Sequence, residues 1–226
     1  MDNERHISGQ YDTELTLLNK HFVDMAGLVE TQFLEALNGY LESSSRLAQQ
    51  VVEREQQVNQ FEIDIDMQVA SVIARRQPVA GDMRSLLALM KSTTDLERIG
   101  DESKRIAKLT LKRPISTPTP EIRENLVKLK ELVHANVRRA LDSFARMDEP
   151  SALEVISIDD EVDDQYNTIL GLGSDYISNE SEKVDVFMNI IWVARALERI
   201  GDHATNIGEN VVYAVSGRYI KHGKKI

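Results

Sequence analysis

The hexapeptide Leu-Glu-Arg-Ile-Gly-Asp occurs twice in the sequence, at residues 96–101 and again at residues 197–202. In each copy a Glu and an Asp stand four residues apart, so in a helix both carboxylates lie on one face, one turn apart. Converging carboxylates repel one another unless a cation lies among them. Oxygen ligands without cysteine suit hard or borderline ions such as Fe, Mn, Mg or Ca. The main metal-ligand candidates are therefore Glu97, Asp101, Glu198 and Asp202.

Three further acids, Glu55, Asp159 and Asp163, fall on the segments expected to face the repeated motif, and they are weaker metal-ligand candidates. The alternative is a solvated acidic face on which Arg98 and Arg199 form surface ion pairs, each contributing about 0 to 1 kcal/mol. Acid pairs at this spacing are common on exposed helices, so spacing alone leaves both interpretations open.

Each hexapeptide also contains a glycine, Gly100 or Gly201. Glycine in a helix interior costs about 1 kcal/mol relative to alanine. Its presence in both copies indicates either a close approach of a neighbouring helix or space for a ligand.

The repeat extends well beyond the hexapeptide, because the segment 28–58 aligns with the segment 132–162 without a gap. The chain therefore contains two copies of one unit, and a short deletion in the second copy belongs in a loop. The predicted units are residues 1–113 and 114–226.

Helical periodicity is sustained through most of the chain, and all five prolines lie between the periodic segments. The stretch 113–120, rich in Pro, Ser and Thr, is the predicted linker. We expect an all-α fold of two tandem pseudo-symmetric three-helix bundles, built from six long antiparallel helices. Their approximate bounds are 13–40, 44–76, 79–112, 120–146, 148–178 and 181–216.

The formal net charge of −10 argues against a nucleic-acid partner, which would require a basic face. Cysteine is absent and residues 1–12 are polar, so we expect a cytoplasmic protein without a signal peptide. The most apolar stretch, 186–197, is too short to span a bilayer. We expect no direct membrane insertion, and we expect Trp192 within that stretch to pack in the core or between the bundles and not to form a ligand platform.

Three features of the sequence resemble the PhoU family, the accessory regulators of the phosphate-specific transport system. They are the paired hexapeptides, the segment 76–80 (Arg-Gln-Pro-Val-Ala) followed by Asp82-Met83-Arg84, and the segment 201–209 (Gly-Asp-His-Ala-Thr-Asn-Ile-Gly-Glu). The resemblance covers essentially the whole chain. It implies two pseudo-symmetric three-helix bundles, a homodimer, and negative control of the phosphate-starvation response.

The resemblance also implies binding partners and cofactors. The expected partners are the ATPase subunit of a phosphate ABC transporter and a membrane sensor histidine kinase, which would hold the protein peripherally at the inner membrane. Some family members hold metal at the repeated Glu-x-x-x-Asp elements, so a metal ion (Fe, Mn, Mg or Zn) is the expected cofactor. Asn206 and Glu209 follow the second motif as the family pattern has it, whereas Arg105 and Lys108 follow the first. Since positive charge weakens a cation site, we expect the second site to bind metal better.

The rival function is a carboxylate-bridged metalloenzyme of the di-iron bundle type, and a metal-independent scaffold is a further alternative. A di-iron site needs two Glu-x-x-His elements on facing helices. The sequence contains one, Glu131 with His134. The segment 171–173 (Gly-Leu-Gly) does not follow a predicted strand, so it indicates a local break in the fifth helix and not a dinucleotide-binding loop. We therefore expect a protein that acts by binding and not as an enzyme.

Overall fold

The computed structural model describes residues 9–112, 119–179, 184–221 and 224–225, and the chain is helical throughout most of them. The seven helical segments are α1 (Gly9–Leu41), α2 (Ser45–Arg76), α3 (Ala80–Lys112), α4 (Pro120–Arg146), α5 (Glu149–Ser157), α6 (Asp159–Asn179) and α7 (Val184–Ser216). Two short strands, β1 (Ile220–Lys221) and β2 (Lys224–Lys225), pair antiparallel near the end of the chain, and the sequence did not predict them. The all-α fold class is confirmed.

Polar caps and prolines set the helix ends where the sequence placed them. Ser44 caps α2 by accepting a hydrogen bond from the Leu47 backbone N–H at 3.4 Å. Gln77 and Ala80, which flank the α2–α3 turn, adopt positive φ angles of 48° and 44°. The turn contains Pro78, which cannot continue a helix because it lacks a backbone N–H.

The predicted fifth helix is in fact two helices, and the predicted position of its break was wrong. The chain bends at Ile158, where α5 ends in a backbone hydrogen bond from Ile158 to Val155 at 3.3 Å. Residues 171–173 continue within α6 without a break. Gly173 instead provides space, because a Cβ added there would lie 1.5 Å from the Phe187 ring.

The helices form two bundles that lie against each other. Helices α1, α2 and α3 pack together, and α4, α5 and α6 pack with α7. Between the bundles α3 and α7 run antiparallel, since Ser92 lies beside Asn210 and Glu102 beside Arg199. The rings of Phe22 in α1 and Phe144 in α4 contact each other at a tilt of 32°, with centroids 4.1 Å apart. The predicted boundary between residues 113 and 114 lies outside the described residues.

Among the described helices, none contains a continuous apolar stretch of the length needed to span a lipid bilayer.

Candidate functional site

The two glycines of the repeated hexapeptide allow close helix packing. A Cβ added to Gly100 would lie 3.3 Å from Cγ1 of Val58 in α2. A Cβ added to Gly201 would lie 3.1 Å from Cγ1 of Val162 in α6. The repeat aligns the two valines as well as the two glycines, so both bundles use the same contact, and close helix approach explains the glycines.

The structure brings the second hexapeptide against α6, where four acids form what we call the second acidic cluster: Asp159, Asp163, Glu198 and Asp202. Glu198 is only 8% exposed. Its Oε1 accepts a hydrogen bond from Arg195 at 2.7 Å, whereas its Oε2 is buried and has no hydrogen-bond partner among the residues that the structure describes. Burial, followed by the charge of Asp202, raises the pKa of Glu198 to about 7. The Glu198 carboxyl therefore loses its proton near neutral pH, and a bound cation would displace the same proton.

Two other members of the second acidic cluster, Asp202 and Asp163, also resist ionisation. Burial first, and then the charges of Asp159 and Asp163, raise the pKa of Asp202. The pKa of Asp163 is likewise raised, by burial and then by Asp159. Asp159 accepts a hydrogen bond from the Thr205 hydroxyl at 3.0 Å. The cluster thus concentrates negative charge that the surrounding described residues compensate only in part.

The first hexapeptide lies in a different environment. We define the first acidic cluster as Glu55 of α2 with Glu97 and Asp101 of α3. The Lys104 ammonium donates to Glu55 and, at 3.3 Å, to Asp101. Burial alone would raise the pKa of Glu55, but hydrogen bonds from Lys104 and Asn59 hold it below its ordinary value. The pKa of Glu97 is raised, by burial and then by the charge of Asp101.

The difference between the clusters follows from two positions of the repeat. Lys104 aligns with Thr205, and Asn59 aligns with Asp163. At these two positions the first cluster therefore has an ammonium group in place of a hydroxyl and an amide in place of a carboxylate. Sequence reasoning missed Lys104 because it examined the positions one and two turns after the motif; aligning the two copies residue by residue would have found it.

The two clusters differ in how well they suit a metal ion. The second offers four carboxylates, and one of their oxygens, the buried Glu198 Oε2, has no hydrogen-bond partner in the described part of the chain. This donor set fits a hard cation. In the first, Lys104 already provides the positive charge. Within the described residues, no three His, Cys, Asp or Glu side chains converge closely enough to hold a metal as they stand. Metal binding at the second cluster would thus require its side chains to move closer together.

The structure does not bring Asn206 and Glu209 to the second acidic cluster. The Asn206 side-chain amide donates to Asp95 of α3 at 3.0 Å, and His203 contacts the same carboxylate at 3.0 Å. Glu209 lines a cavity between α3 and α7 together with Lys91. These residues belong to the contact between the two bundles.

The structure also places His134 and Trp192, two residues for which the sequence led to expectations. His134, from the Glu-x-x-His element, lies 2.9 Å from Glu30 of α1, in a pair that links α4 to α1. Trp192 is 46% exposed, so the prediction that it packs in the core was wrong, although it does lie beside the contact between the bundles. It lies on the same stripe of α7 as Met188, Arg195 and Arg199, three and four residues apart, and this stripe faces outward.

Comparison with known proteins supports the repeat and the fold. The sequence model of the PhoU domain matches the chain twice, at residues 22–110 and 126–211. A phosphate-specific transport system accessory protein PhoU homolog from Pseudomonas aeruginosa is 41% identical over 217 residues, which cover 96% of this chain and 90% of that protein. The phosphate-specific transport system accessory protein PhoU of Escherichia coli is 34% identical over 221 residues, covering 96% and 90%.

Solved structures give the same result. The crystal structure of PhoU from Pseudomonas aeruginosa matches with a TM-score of 0.88 at 40% identity, covering 92% of this chain and 99% of that one. The phosphate transport system regulatory protein PhoU from Streptococcus pneumoniae matches with a TM-score of 0.84 at 23% identity, covering 93% and 99%, and supports the fold alone. The family model matches the chain twice, the relatives are similar over most of their length, and the solved structures share the two-bundle fold. The chain therefore belongs to the PhoU family.

Proposed function

We propose that this chain is an accessory regulator of phosphate transport, acting by binding as a negative regulator of the phosphate-starvation response. The observation that carries the proposal is similarity to proteins named as accessory proteins of the phosphate-specific transport system, for example at 41% identity over 96% of this chain and 90% of the relative. The partners in this proposal are the transporter ATPase subunit and a membrane sensor histidine kinase. They would hold the protein, as a homodimer, at the inner membrane.

The test combines a genetic and a biochemical measurement. In a strain lacking the chain, a phosphate-starvation reporter should be expressed even in high phosphate, and the intact gene should restore repression. The tagged chain should co-purify the ATPase subunit and the kinase in amounts that change between high and low phosphate. Normal repression without the chain, or complexes that do not respond to phosphate, would contradict the proposal.

The second acidic cluster is the part of the molecule to which we assign metal binding. Glu198 and Asp202 would be the principal ligands, with Asp159 and Asp163 beside them. The unpartnered Glu198 Oε2 and the raised pKa values of three members support this assignment, because a bound cation would relieve the same repulsion. A metal there would supply positive charge that links α6 to α7.

Metal analysis of protein purified without a His tag tests the assignment. The Glu198→Ala and Asp202→Ala variants should lose the metal, whereas the matched Glu97→Ala and Asp101→Ala variants should keep it. Equal metal content in all four would dismiss the site. Full repression by a variant lacking all four acids would instead favour the metal-independent scaffold.

A further inference from the structure

A basic groove lies beside the contact between α3 and α7, in a chain whose net charge is −10. Its volume of about 630 Å³ lies within the range of small-molecule sites, roughly 300 to 1,000 Å³. Among the described residues that line it, two are acidic, Asp101 and Glu102, and six are cationic. The cationic residues are Arg98, Lys104, Arg105, Lys108, Lys112 and Arg199.

Part of this positive charge remains available to a ligand. Glu102 is shared between Arg105 at 3.1 Å and Arg199 at 2.8 Å, and both arginine side chains remain more than 40% exposed. Lys108 and Lys112 are exposed and form no ion pair with any residue that the structure describes. One carboxylate therefore faces two guanidinium groups with two unpaired ammonium groups nearby, an arrangement that suits a polyanion.

An aromatic surface completes the groove. Trp192, with 46% of its surface exposed, lines the groove together with Leu109. An exposed indole on a charged surface offers a stacking platform for a planar ring, and base stacking on aromatic side chains is a common way to hold nucleotides. An inorganic polyanion has no planar ring that could stack on the indole.

The groove has a counterpart at the other end of the α3–α7 contact that lacks these properties. That counterpart is a cavity of about 310 Å³ containing one cation, Lys91, among its described lining residues. The repeat aligns Arg105 with Asn206, Lys108 with Glu209, and Trp192 with Lys91. The two ends of the α3–α7 contact are thus built from aligned positions, but only one end carries the basic and aromatic residues. Packing of the two bundles therefore does not require these residues.

We propose that this groove binds a nucleoside polyphosphate, with its phosphates against Arg105, Arg199 and Lys108 and its base on Trp192. The proposal goes beyond the regulatory function above, because it gives the protein a small-molecule ligand of its own. Binding is measured on the purified chain without transporter or kinase, so it succeeds or fails independently of that function.

Trp192 is the only tryptophan of the chain, so its fluorescence reports directly on the groove. We expect ATP, added to the purified full-length chain in the absence of divalent cations, to change the indole fluorescence saturably. Inorganic tripolyphosphate should compete with ATP but bind more weakly, because it offers no ring to the indole. The absence of a saturable change would overturn the proposal.

Two double variants with the same change in net charge test the location. Lys108→Glu with Lys112→Glu should weaken ATP binding about 10-fold or more, as expected for loss of a charge-assisted contact. Arg139→Glu with Arg146→Glu, in a separate basic cavity along α4, should bind ATP like the wild type. Equal loss in both variants would mean that ATP responds only to net charge, and would overturn the proposal.

Trp192→Leu separates the base from the phosphates. By calorimetry it should weaken ATP binding while leaving tripolyphosphate binding unchanged, with circular dichroism confirming that the helices remain. Equal affinity of the wild type for both ligands, together with no effect of Trp192→Leu, would rule out a nucleotide. If the lysine variant lost the transporter ATPase while the wild type bound no ATP, the groove would be a protein-docking surface and the proposal would be wrong.

Discussion

Glu198 is the carboxyl on which the electrostatics of the second acidic cluster can be tested most directly. It is 8% exposed, and one of its oxygens is buried without a hydrogen-bond partner from any described residue. Burial, with Asp202 as the next cause, raises its pKa from an ordinary value of 4.5 to about 7. Replacement by Gln keeps the shape and a carbonyl oxygen for Arg195, and removes the ionisation.

The sign of the effect follows from proton linkage. Because the folded protein binds this proton more tightly than the unfolded chain, stability falls as pH rises from about 4.5 to about 7, and the loss is complete above that range. The shift corresponds to about 3 kcal/mol of unfolding free energy, at about 1.4 kcal/mol per pKa unit. Burial and neighbouring acids also raise the pKa values of Asp202 and Asp163, and these groups act in the same direction.

Urea unfolding of metal-free protein at pH 5 and pH 8 measures this contribution. Glu198→Gln should be more stable than the wild type by about 2 to 3 kcal/mol at pH 8, and by about 1 kcal/mol or less at pH 5. The control is Glu154→Gln, whose wild-type side chain is 65% exposed, and it should follow the wild type at both pH values. Adding a divalent cation at pH 8 should stabilise the wild type relative to Glu198→Gln.

Parallel pH dependence for the wild type and Glu198→Gln would refute the reasoning. It would mean that Glu198 ionises as freely in the folded protein as in water, and that the cluster stores no repulsion for a metal to relieve.

Three further predictions concern the repeat and the packing. Lys104→Thr should raise the affinity of the first acidic cluster for divalent cations, and Thr205→Lys, the reverse exchange at the aligned position, should lower that of the second. Calorimetry with Mn²⁺ measures both affinities. Gly208→Ala should lower the unfolding free energy by about 1 to 3 kcal/mol, because its Cβ would lie 3.0 Å from a backbone oxygen; Gly171→Ala, in open space, should raise it by up to about 1 kcal/mol. Asp95→Ala should cost about 1 to 3 kcal/mol in urea unfolding, because it removes the acceptor shared across the contact between the bundles.

The fold was largely predictable because the signals that determine it are local. Helical periodicity, the positions of proline and the internal repeat gave an all-α, two-bundle arrangement. The break at Ile158 was not predictable in this way, because no glycine or proline marks it. The Gly173 signal was misread, because that residue provides space for the Phe187 ring, which comes from another helix.

The acidic clusters were predictable in part. Spacing placed each Glu-x-x-x-Asp pair on one face, and the repeat indicated which acids of the preceding helix would face it. Spacing could not give the burial of Glu198, which depends on how closely α6 approaches α7. The exposure of Trp192 was missed because mean apolarity was read over the whole stretch, although its helical stripe continues to Arg195 and Arg199, which marks an outward face.

Lys104 connects the first acidic cluster to the basic groove. Its ammonium contacts Glu55 and Asp101, and the same side chain lines the groove. A fixed cation in the first cluster disfavours a metal ion there, since two positive charges would compete for the same carboxylates. In the metal-binding proposal, weaker cation binding at the first cluster and added positive charge in the groove are thus two effects of one residue. The second copy has Thr205 at this position, so its acids have no ammonium partner there and are compensated only in part, by Arg195. The corresponding cavity likewise lacks the added charge. Duplication followed by this change would let one scaffold respond to a cation through one half and to an anion through the other.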